Sequence, residues 1–214
     1  MDVTAKLGEA GLDIVHPFAI HAAAREPGLE RLRDRAAGDA QPRLSLLVGN
    51  TRALWARFAA AIAADPELAA SADPIDRYAE QIIEPVAAAL GGRAWFAHRS
   101  YDGSYLPFQR LAVVAGLAAL SPSQLLVHPT YGPWFALRAV IVCDGEPPPV
   151  AAPVRLPCEC AAHGCVATFE RASATPGDWH AWVAVRDACP VGREHRYGDP
   201  QLAYHYSKDR RFLP

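Results

Sequence analysis

The first part of the chain combines strand-like and helix-like hydrophobic patterns. Residues 12–20 form a Val/Ile-rich run that predicts a strand, and the continuous apolar run at residues 44–48 predicts a second, buried strand. The apolar residues that follow recur at helical spacing on one face: Leu54, Trp55, Phe58 and Ile62. A helix is therefore expected here, with Asn50 or Thr51 as its cap and residues 65–66 at its end.

Proline and glycine positions predict the ends of a second helix. Asp73 followed by Pro74 is typical of a helix N-terminus, because aspartate caps free backbone N–H groups and proline suits the first helical turn. An apolar stripe follows on one face: Ile75, Tyr78, Ile82, Ile83 and Val86. We expect Pro85 to kink this helix and the glycine pair at 91–92 to end it. Residues 93–99 then predict a further strand.

The middle of the chain predicts a helix and a pair of strands. Residues 108–120 are rich in small side chains and predict a helix that another backbone or a flat ligand can approach closely. Two β-rich runs, residues 124–128 and 134–142, flank a turn that contains two prolines and a glycine. This arrangement predicts a hairpin-like pair.

A proline-rich stretch at residues 145–157 has the composition of a linker. It divides the chain into a predicted core, residues 1–146, and a linker with a small carboxy-terminal cap, residues 147–214. The cap is rich in Cys, His and Arg and shows little hydrophobic periodicity. Strands interleaved irregularly with helices predict an α+β fold with a mainly antiparallel sheet flanked by helices.

Composition and charge narrow the classes of function. The chain has 214 residues, of which 51% are hydrophobic and 21% charged, as in an ordinary globular protein with a hydrophobic core. A net charge of −2 argues against nucleic acid as a partner. The apolar run at 111–120 is shorter than the roughly 20 residues that span a bilayer, and the N-terminus lacks the pattern of a signal peptide. We therefore expect a cytoplasmic protein with no membrane segment. Neither a GxxxxGK[ST] nor a GxGxxG phosphate loop occurs.

The turn between the two β-rich runs carries candidate ligand-binding residues. It presents an imidazole, a phenol and an indole beside backbone amides within seven positions: His128, Pro129, Tyr131, Gly132 and Trp134. Aromatic faces with polar tips suit a broad, flat ligand fringed with amides. The alternative is structural, with Trp134 and Phe135 in the core and His128 capping the turn.

Residues 109–120, followed by the pattern HPxYGxWF[AF]xR at residues 128–138, resemble the cobalamin-processing family, the cyanocobalamin reductases and alkylcobalamin dealkylases linked to methylmalonic aciduria with homocystinuria type C. Similar stretches follow the same order elsewhere in the chain, at residues 15–18, 73–76, 186–188 and Tyr204. The turn pattern also resembles the corrinoid-binding region of epoxyqueuosine reductases and reductive dehalogenases. Both resemblances indicate that the ligand is a corrinoid.

The resemblance implies a flavin-reductase/nitroreductase-like fold that binds cobalamin with its nucleotide tail displaced from cobalt. In this reading the five turn residues contact the corrin or its tail, and Gln109, Ala115 and Gly116 lie under the macrocycle. The protein then orients the cofactor and controls its axial ligands, while cobalt supplies the chemistry. The upper ligand is removed by glutathione or by electrons from a reduced flavin, FMN or FAD. Four arginines are candidates for binding glutathione carboxylates, and each is alternatively an ordinary surface residue: Arg155, Arg186, Arg210 and Arg211.

The cap contains four cysteines at short spacing, Cys158, Cys160, Cys165 and Cys189, the last followed by proline. Thiolates in such a pattern bind zinc or an iron–sulfur cluster. Free thiols are the alternative reading. The spacing departs from the CxxCxxCxxxCP run of the epoxyqueuosine reductases, and the cobalamin-processing family lacks this cluster. Cys143 lies in an apolar strand and is expected in the core.

Three functions remain open at this point. The first is an enzyme that removes the upper axial ligand of cobalamin by reductive decyanation or thiol-dependent dealkylation, with no catalytic residue yet assigned. The second is a non-catalytic carrier that passes cobalamin to a dependent enzyme. The third is a redox enzyme that uses a corrinoid and a cap-bound iron–sulfur cluster on another organic substrate. The cysteine set distinguishes the third from the others, and activity with glutathione or reduced flavin distinguishes the first from the second.

Overall fold

The computed structural model describes residues 2–23, 26–30, 32 and 44–214. Its strands are β1 (Ile14–Ala19), β2 (Leu44–Asn50), β3 (Arg93–Phe96), β4 (Ser100–Tyr101), β5 (Ser104–Tyr105), β6 (Ala119–Leu120), β7 (Leu126–Val127) and β8 (Ala136–Cys143). Its α-helices are α1 (Val3–Glu9), α2 (Ile20–Ala23), α3 (Leu54–Ala64), α4 (Pro66–Ala70), α5 (Pro74–Ala89), α6 (Phe108–Val114), α7 (Cys165–Ala174), α8 (Trp179–Ala188) and α9 (Asp199–Ser207). Short 3₁₀ helices occupy Arg193–His195 and Arg210–Phe212.

The chain divides into two compact units that do not follow the predicted boundary at residue 146. Unit 1 consists of Met1–Leu117 and Ala136–Pro153, and unit 2 consists of Ala118–Phe135 and Val154–Pro214. The aromatic turn at 128–134 therefore belongs to the same unit as the cysteines and arginines of the carboxy-terminal segment. We describe the two units separately.

Unit 1 is built on an antiparallel four-stranded sheet in the order β1-β2-β8-β3. Strands β2 and β8 are the central pair and are buried almost throughout, which explains their continuous apolar composition. The long helix α5 packs on β3 and β8 and contributes Ile83 and Val86, both fully buried, to the core. Helix α3 adds Phe58 to this core, and the centroid of the Phe58 ring lies 5.8 Å from that of Tyr78 in α5.

The helix boundaries of unit 1 agree with most of the sequence signals. Helix α3 ends at the predicted position, but its N-cap is Ala53 and no side chain caps it, so the prediction of Asn50 or Thr51 as the cap is wrong. Thr51 Oγ1 instead accepts a hydrogen bond from the Ala53 amide at 3.3 Å, just before the helix. Helix α5 begins at Pro74 as predicted, but the Asp73 side chain makes no capping hydrogen bond. The helix continues through Pro85 to Ala89 and so ends next to the glycine pair at 91–92, as predicted.

Two expectations for the middle of the chain are wrong. The helix predicted over residues 108–120 stops at Val114, because Gly116 adopts a φ of +75° and residues 119–120 form β6 instead. The two β-rich runs do not pair with each other. Strand β7 pairs with β6 in unit 2, whereas β8 lies between β2 and β3 in unit 1. Periodicity identified these strands but not their partners, because pairing depends on distant residues.

Unit 2 contains regular helices where the sequence showed little periodicity. Helices α7 and α8 pack against each other, and α9 contacts α8. The segment at 146–156 has no regular structure, in agreement with its linker-like composition. The observed fold is α+β with an antiparallel sheet flanked by helices, which confirms the predicted class. Within the described part of the chain, no helix has the length and apolar composition needed to cross a membrane.

Candidate functional site

The turn around His128 is held by its own backbone and by the histidine ring. His128 and Gly132 exchange two backbone hydrogen bonds of 2.9 Å. The Nδ1 atom of His128 accepts hydrogen bonds from the amides of Thr130 at 3.0 Å and Tyr131 at 3.2 Å. Because Nδ1 acts as the acceptor, the neutral imidazole carries its proton on Nε2. Local structure thus orients a half-buried donor at this turn.

Aromatic rings support the imidazole from several sides. The Tyr131 ring stacks on His128 with 4.6 Å between centroids, and the edge of Phe135 lies 5.9 Å from the same imidazole. His195, from the 3₁₀ helix of unit 2, meets Tyr131 edge-on at 4.9 Å. Pro129 is exposed at the tip of the turn. The structure therefore brings the predicted His128 and Tyr131 together with His195, whose role the sequence did not indicate.

Two glycines allow the turn to contact another segment of unit 2. Gly132 has a φ of +55° and Gly192 a φ of +67°, a region that side chains other than glycine rarely adopt. A Cβ on Gly132 would overlap the carbonyl of Val191, and a Cβ on Gly192 would overlap the carbonyl of Tyr131. The two backbones lie against each other at a distance that no larger residue permits.

Trp134 is buried in an aromatic cluster of unit 2. It is 1% exposed and packs with Val183, Tyr197 and Leu202. The Tyr197 ring meets it edge-on at 5.9 Å. Trp134 is therefore a core residue, as the structural alternative predicted. The large apolar surface of its indole stabilises unit 2.

Arg186 lies in the same cluster with its guanidinium among three aromatic rings. Its Cζ atom is 5.8 Å from the ring centroids of Trp134 and Tyr197 and 5.6 Å from that of Tyr206. Burial is the main reason that the pKa of Tyr206 is raised, and the Arg186 charge opposes that rise. Such cation–π contacts contribute about 0.5–2 kcal/mol each.

Buried hydrogen-bond donors in this cluster have no acceptor. Arg186 Nε and Nη1 and Trp134 Nε1 are buried, and none has a hydrogen-bond partner among the described residues. The neighbouring Arg196 is different, since it donates to Asp187 at 2.8 Å and to Asp199 at 3.0 Å. Leaving a buried donor without an acceptor costs about 1–3 kcal/mol, more when it is charged. The cluster is chemically suited to a ligand that supplies an anionic acceptor.

The remaining predicted corrin-contacting residues lie in unit 1. Gln109 is an exposed residue of α6. Ala115 is buried just beyond that helix, and its carbonyl oxygen accepts a hydrogen bond from His16 Nε2 at 2.8 Å. A Cβ on Gly116 would stand 2.7 Å from the Cβ of Ala151, so a close approach within unit 1 accounts for this glycine.

Three of the four candidate arginines are exposed, in contrast to Arg186. Arg155 lies in the linker-like segment without regular structure. Arg210 and Arg211 belong to the last 3₁₀ helix, where Arg211 pairs with Asp209 at 2.6 Å. That hydrogen-bonded pair raises the pKa of Arg211 and lowers the pKa of Asp209. Arg186 is the one candidate of this set with buried donors that lack an acceptor.

The cap cysteines form a cluster of thiols in unit 2. The sulfurs of Cys158 and Cys160 lie 3.9 Å apart. The Cys158 thiol also interacts with that of Cys189, and the Cys165 thiol with that of Cys160. Burial and these neighbouring thiols raise the pKa of Cys158 to about 12 and also raise the pKa of Cys165. The Cys158 and Cys165 thiols are therefore held in their protonated form at neutral pH.

Neither the predicted zinc ion nor the predicted iron–sulfur cluster has a ready-made site. Among the described residues, no group of three or more His, Cys, Asp or Glu side chains could hold a metal ion. Cys143 lies apart from the cap cysteines in β8, fully buried as predicted, and its thiol donates to Leu44 O at 3.7 Å.

Sequence reasoning did not identify a polar network around Arg138, the last residue of the turn pattern. In unit 1 its buried guanidinium donates to Asn50 Oδ1 at 2.7 Å and to Asp76 Oδ1 at 3.2 Å. His98 lies 3.7 Å from the same Asp76 oxygen and 2.8 Å from Glu80 Oε1. An arginine within an otherwise apolar strand was the signal that such partners exist.

Glu80 is the acidic centre of this network. Burial by itself would raise its pKa, but hydrogen bonds from His98 and Arg99 outweigh that effect and hold the pKa below its usual value. Arg99 Nε donates to Glu80 Oε1 at 2.7 Å. Near this network, a cleft of about 230 Å³ lined by residues that include Arg93 and Tyr101 contains none of the predicted binding residues.

The comparisons with known proteins agree with this architecture. No protein-family profile and no curated protein sequence matches the chain. The antiparallel sheet flanked by helices identifies an α+β protein of the expected nitroreductase-like type. A solved structure of the same fold is the B12-trafficking protein CblC of C. elegans, a homologue of human MMACHC. The two structures superpose with a TM-score of 0.70 at 18% sequence identity, over 99% of this chain and 92% of that chain.

Proposed function

We propose that this protein binds cobalamin as its substrate and removes the upper axial ligand from cobalt. The observation that carries the proposal is the likeness of fold to a B12-trafficking protein over 99% of the chain. The turn at His128 supports it independently, because its hydrogen bonds and stacked rings preorganise an imidazole N–H in the segment that resembles the cobalamin-processing family. Preorganised donors bind at a lower entropic cost than mobile ones.

In this proposal His128 and Tyr131 contact the amide-fringed periphery of cobalamin or its displaced tail. His128 donates from Nε2 and Tyr131 offers its ring, while Pro129 and Gly132 keep the turn in shape. Trp134 supports the turn indirectly, because its side chain fills the core of unit 2. Bound cobalamin supplies the redox chemistry of its cobalt.

Arg186 is the proposed binding residue for a carboxylate of glutathione. Its Nε and Nη1 atoms are buried and find no acceptor in the part of the chain that the structure describes, and a carboxylate can satisfy both in a bidentate arrangement. In the dealkylation, the glutathione thiol loses its proton to solvent and its sulfur attacks the cobalt-bound carbon. The S–C bond forms as the Co–C bond breaks, and the electron pair of that bond stays on cobalt. The aromatic rings around Arg186 exclude water, which strengthens the ion pair.

Reductive decyanation is the second reaction in the proposal. A reduced flavin, FMN or FAD, gives an electron to cobalt, and cyanide leaves with its own electron pair. The protein orients the cobalamin and excludes water. A cytoplasmic location fits this proposal. All five cysteines are free thiols, and a reducing compartment such as the cytoplasm keeps thiols reduced. The product would pass to a cobalamin-dependent enzyme.

The test is a titration of the full chain with hydroxocobalamin, methylcobalamin and cyanocobalamin under anaerobic conditions. We expect the absorption spectra to move to the base-off form and tryptophan fluorescence to be quenched. Glutathione should then convert bound methylcobalamin, or reduced flavin should convert bound cyanocobalamin. The absence of any spectral change or quenching contradicts the proposal. Base-off binding without any reaction with glutathione or with reduced flavin favours the carrier function instead.

A further inference from the structure

We propose that Cys158 and Cys160 form a redox-active pair that exchanges with a low-molecular-weight disulfide and closes into a Cys158–Cys160 disulfide. The proposal concerns a covalent site in unit 2 and does not depend on cobalamin. In the structure both residues are free thiols, and their sulfurs lie 3.9 Å apart. The pair is thus described in its reduced form, with the two reacting atoms already in contact. The proposed cobalamin chemistry does not use these thiols.

The separation of the two cysteines permits the bond. A disulfide has Cα atoms within about 6.8 Å of each other and sulfurs about 2.05 Å apart. Residues with a single position between them have Cα atoms at most about 7 Å apart, and a bend in the chain at Cys158 shortens this distance. Rotation about the two Cα–Cβ bonds then closes the remaining gap between the sulfurs.

Backbone hydrogen bonds hold the segment that follows Cys158. The Cys165 amide donates to the Cys160 carbonyl at 3.2 Å, and the Ala162 amide donates to the Glu159 carbonyl at 3.0 Å. These contacts keep Cys160 in a closed turn at the start of α7. Neither hydrogen bond involves the backbone of Cys158, so this residue can move its sulfur to that of Cys160 while the turn stays intact.

Burial gives the two thiols different roles. Cys158 is half-buried, whereas Cys160 is 4% exposed. A disulfide that arrives from solvent therefore meets Cys158 first, and Cys160 attacks afterwards from the interior. The other two thiols of the cap, Cys165 and Cys189, are 1% and 3% exposed and are shielded from a direct encounter.

The exchange proceeds in two balanced steps. The Cys158 thiol loses its proton to solvent, and its sulfur attacks one sulfur of the small disulfide. A mixed disulfide forms as the S–S bond of the small molecule breaks, and the departing thiolate takes a proton from solvent. The Cys160 thiol then loses its proton, attacks the Cys158 sulfur and expels the second thiolate, which is also protonated. The protein pair is oxidised by two electrons, and the small disulfide is reduced to two thiols.

The surroundings of Cys158 make the first step slow at neutral pH. Burial, followed by the neighbouring thiols of Cys189 and Cys160, raises the pKa of Cys158 to about 12. Only the thiolate attacks a disulfide, so the rate should rise about tenfold for each pH unit between about pH 7 and pH 9. Oxidation of the pair at neutral pH therefore requires sustained exposure to the disulfide.

The first experiment uses the unmodified, fully reduced chain, incubated with excess oxidised glutathione near pH 9. The products are quenched with acid, denatured, alkylated and digested with trypsin, which places three cysteines in the peptide 156–171 and Cys189 in the peptide 187–193. We expect the peptide 156–171 to be lighter by about 2 Da through a bond between Cys158 and Cys160, with about two glutathione molecules released per chain.

Fragmentation of the peptide 156–171 identifies the bond, because only a bond between Cys158 and Cys160 leaves Cys165 alkylated. A bond that involves Cys165, or one that joins the two peptides through Cys189, would overturn the proposal. A glutathione adduct that persists on Cys158, or recovery of four alkylated cap cysteines, would also overturn it. This measurement needs no variant and no cobalamin.

The second experiment tests the roles of the two thiols with matched substitutions. Cys160→Ser should stop the reaction at the mixed disulfide, with a gain of about 305 Da on Cys158, because the second attacking thiol is gone. Cys158→Ser should lower the rate of glutathione release at least about tenfold, since the remaining cap thiols are buried. Cys189→Ser should still form the bond, and Cys143→Ser, in unit 1, is the control that should react like the unmodified chain. A disulfide that forms in Cys160→Ser but not in Cys189→Ser contradicts the assignment.

Discussion

Gly132 and Gly192 allow two backbones of unit 2 to lie directly against each other. Each glycine has a positive φ, and a Cβ on either one would overlap a backbone carbonyl of the opposite segment. The contact joins the His128 turn to the segment that follows Cys189. The position of the candidate ligand donor His128 therefore depends on Gly192, a residue 64 positions away in the sequence.

Gly192→Ala should destabilise the protein by more than about 2 kcal/mol, because positive φ alone costs a side chain about 1–2 kcal/mol and the overlap adds to it. Gly103→Ala is the matched control. Gly103 has a φ of +79° with no atom within 4 Å of its Cβ position, so only the conformational cost applies. Denaturant unfolding of both variants gives the comparison. Equal losses would show that the close approach is absent in solution.

His128→Asn should weaken cobalamin binding by about 1–3 kcal/mol, the range for a lost hydrogen bond to a buried polar group. Asparagine keeps an acceptor for the amides of Thr130 and Tyr131, so the turn is retained while the Nε2 donor is removed. His128→Ala removes both and should lower stability as well. Spectral titration and thermal unfolding separate the two effects. Unchanged affinity in both variants would leave His128 with a structural role alone.

Arg186→Met should raise the KM for glutathione at least tenfold, since hydrogen bonds to charged groups contribute about 1.5–3 kcal/mol. The unfolding free energy should change little, because the loss of the three cation–π contacts is offset by the removal of buried donors that have no acceptor among the described residues, and Met fills similar space. Arg155→Met, at an exposed position, is the control and should alter neither quantity. A large loss of stability with normal glutathione kinetics would contradict this role.

Glu80→Gln should lower the unfolding free energy at pH 7 by about 1–3 kcal/mol. Burial favours a higher pKa for Glu80, but hydrogen bonds from His98 and Arg99 outweigh burial, so the folded protein holds this pKa below its ordinary value of 4.5. Stability from this group is therefore complete above pH 4.5 and is lost as the pH falls through the lowered folded pKa. The difference between Glu80→Gln and the unmodified protein should shrink over that acidic range.

Glu84→Gln provides the control for Glu80. Glu84 contacts the same arginine, with 3.2 Å between Arg99 Nη2 and Glu84 Oε1, but its side chain is 52% exposed. An exposed ion pair contributes less than about 1 kcal/mol and is screened by salt. Unfolding measured at several pH values should show a small loss for Glu84→Gln. Equal effects of the two substitutions would show that the buried network does not stabilise unit 1.

Features that depend on neighbouring residues were predictable from the sequence. The buried strand at 44–50, the start of α5 at Pro74 and the end of α3 near Asp65 follow from apolar runs and from proline and aspartate. The His128 turn is of the same kind, since its hydrogen bonds join residues at most four positions apart. Such elements satisfy their backbone groups locally, so their signals lie within short windows.

The partners of these elements were decided by tertiary structure. Residues 126–127 pair with 119–120 and not with 134–142, and β8 lies instead between β2 and β3, where it is buried almost throughout. The same long-range packing brings Cys189 to Cys158 and surrounds Arg186 with Trp134, Tyr197 and Tyr206. The sequence by itself determined the α+β class, the locally hydrogen-bonded turn at His128 and which chemical groups that turn carries. Only the tertiary structure determined which groups meet, because burial and strand pairing minimise free energy over the whole chain.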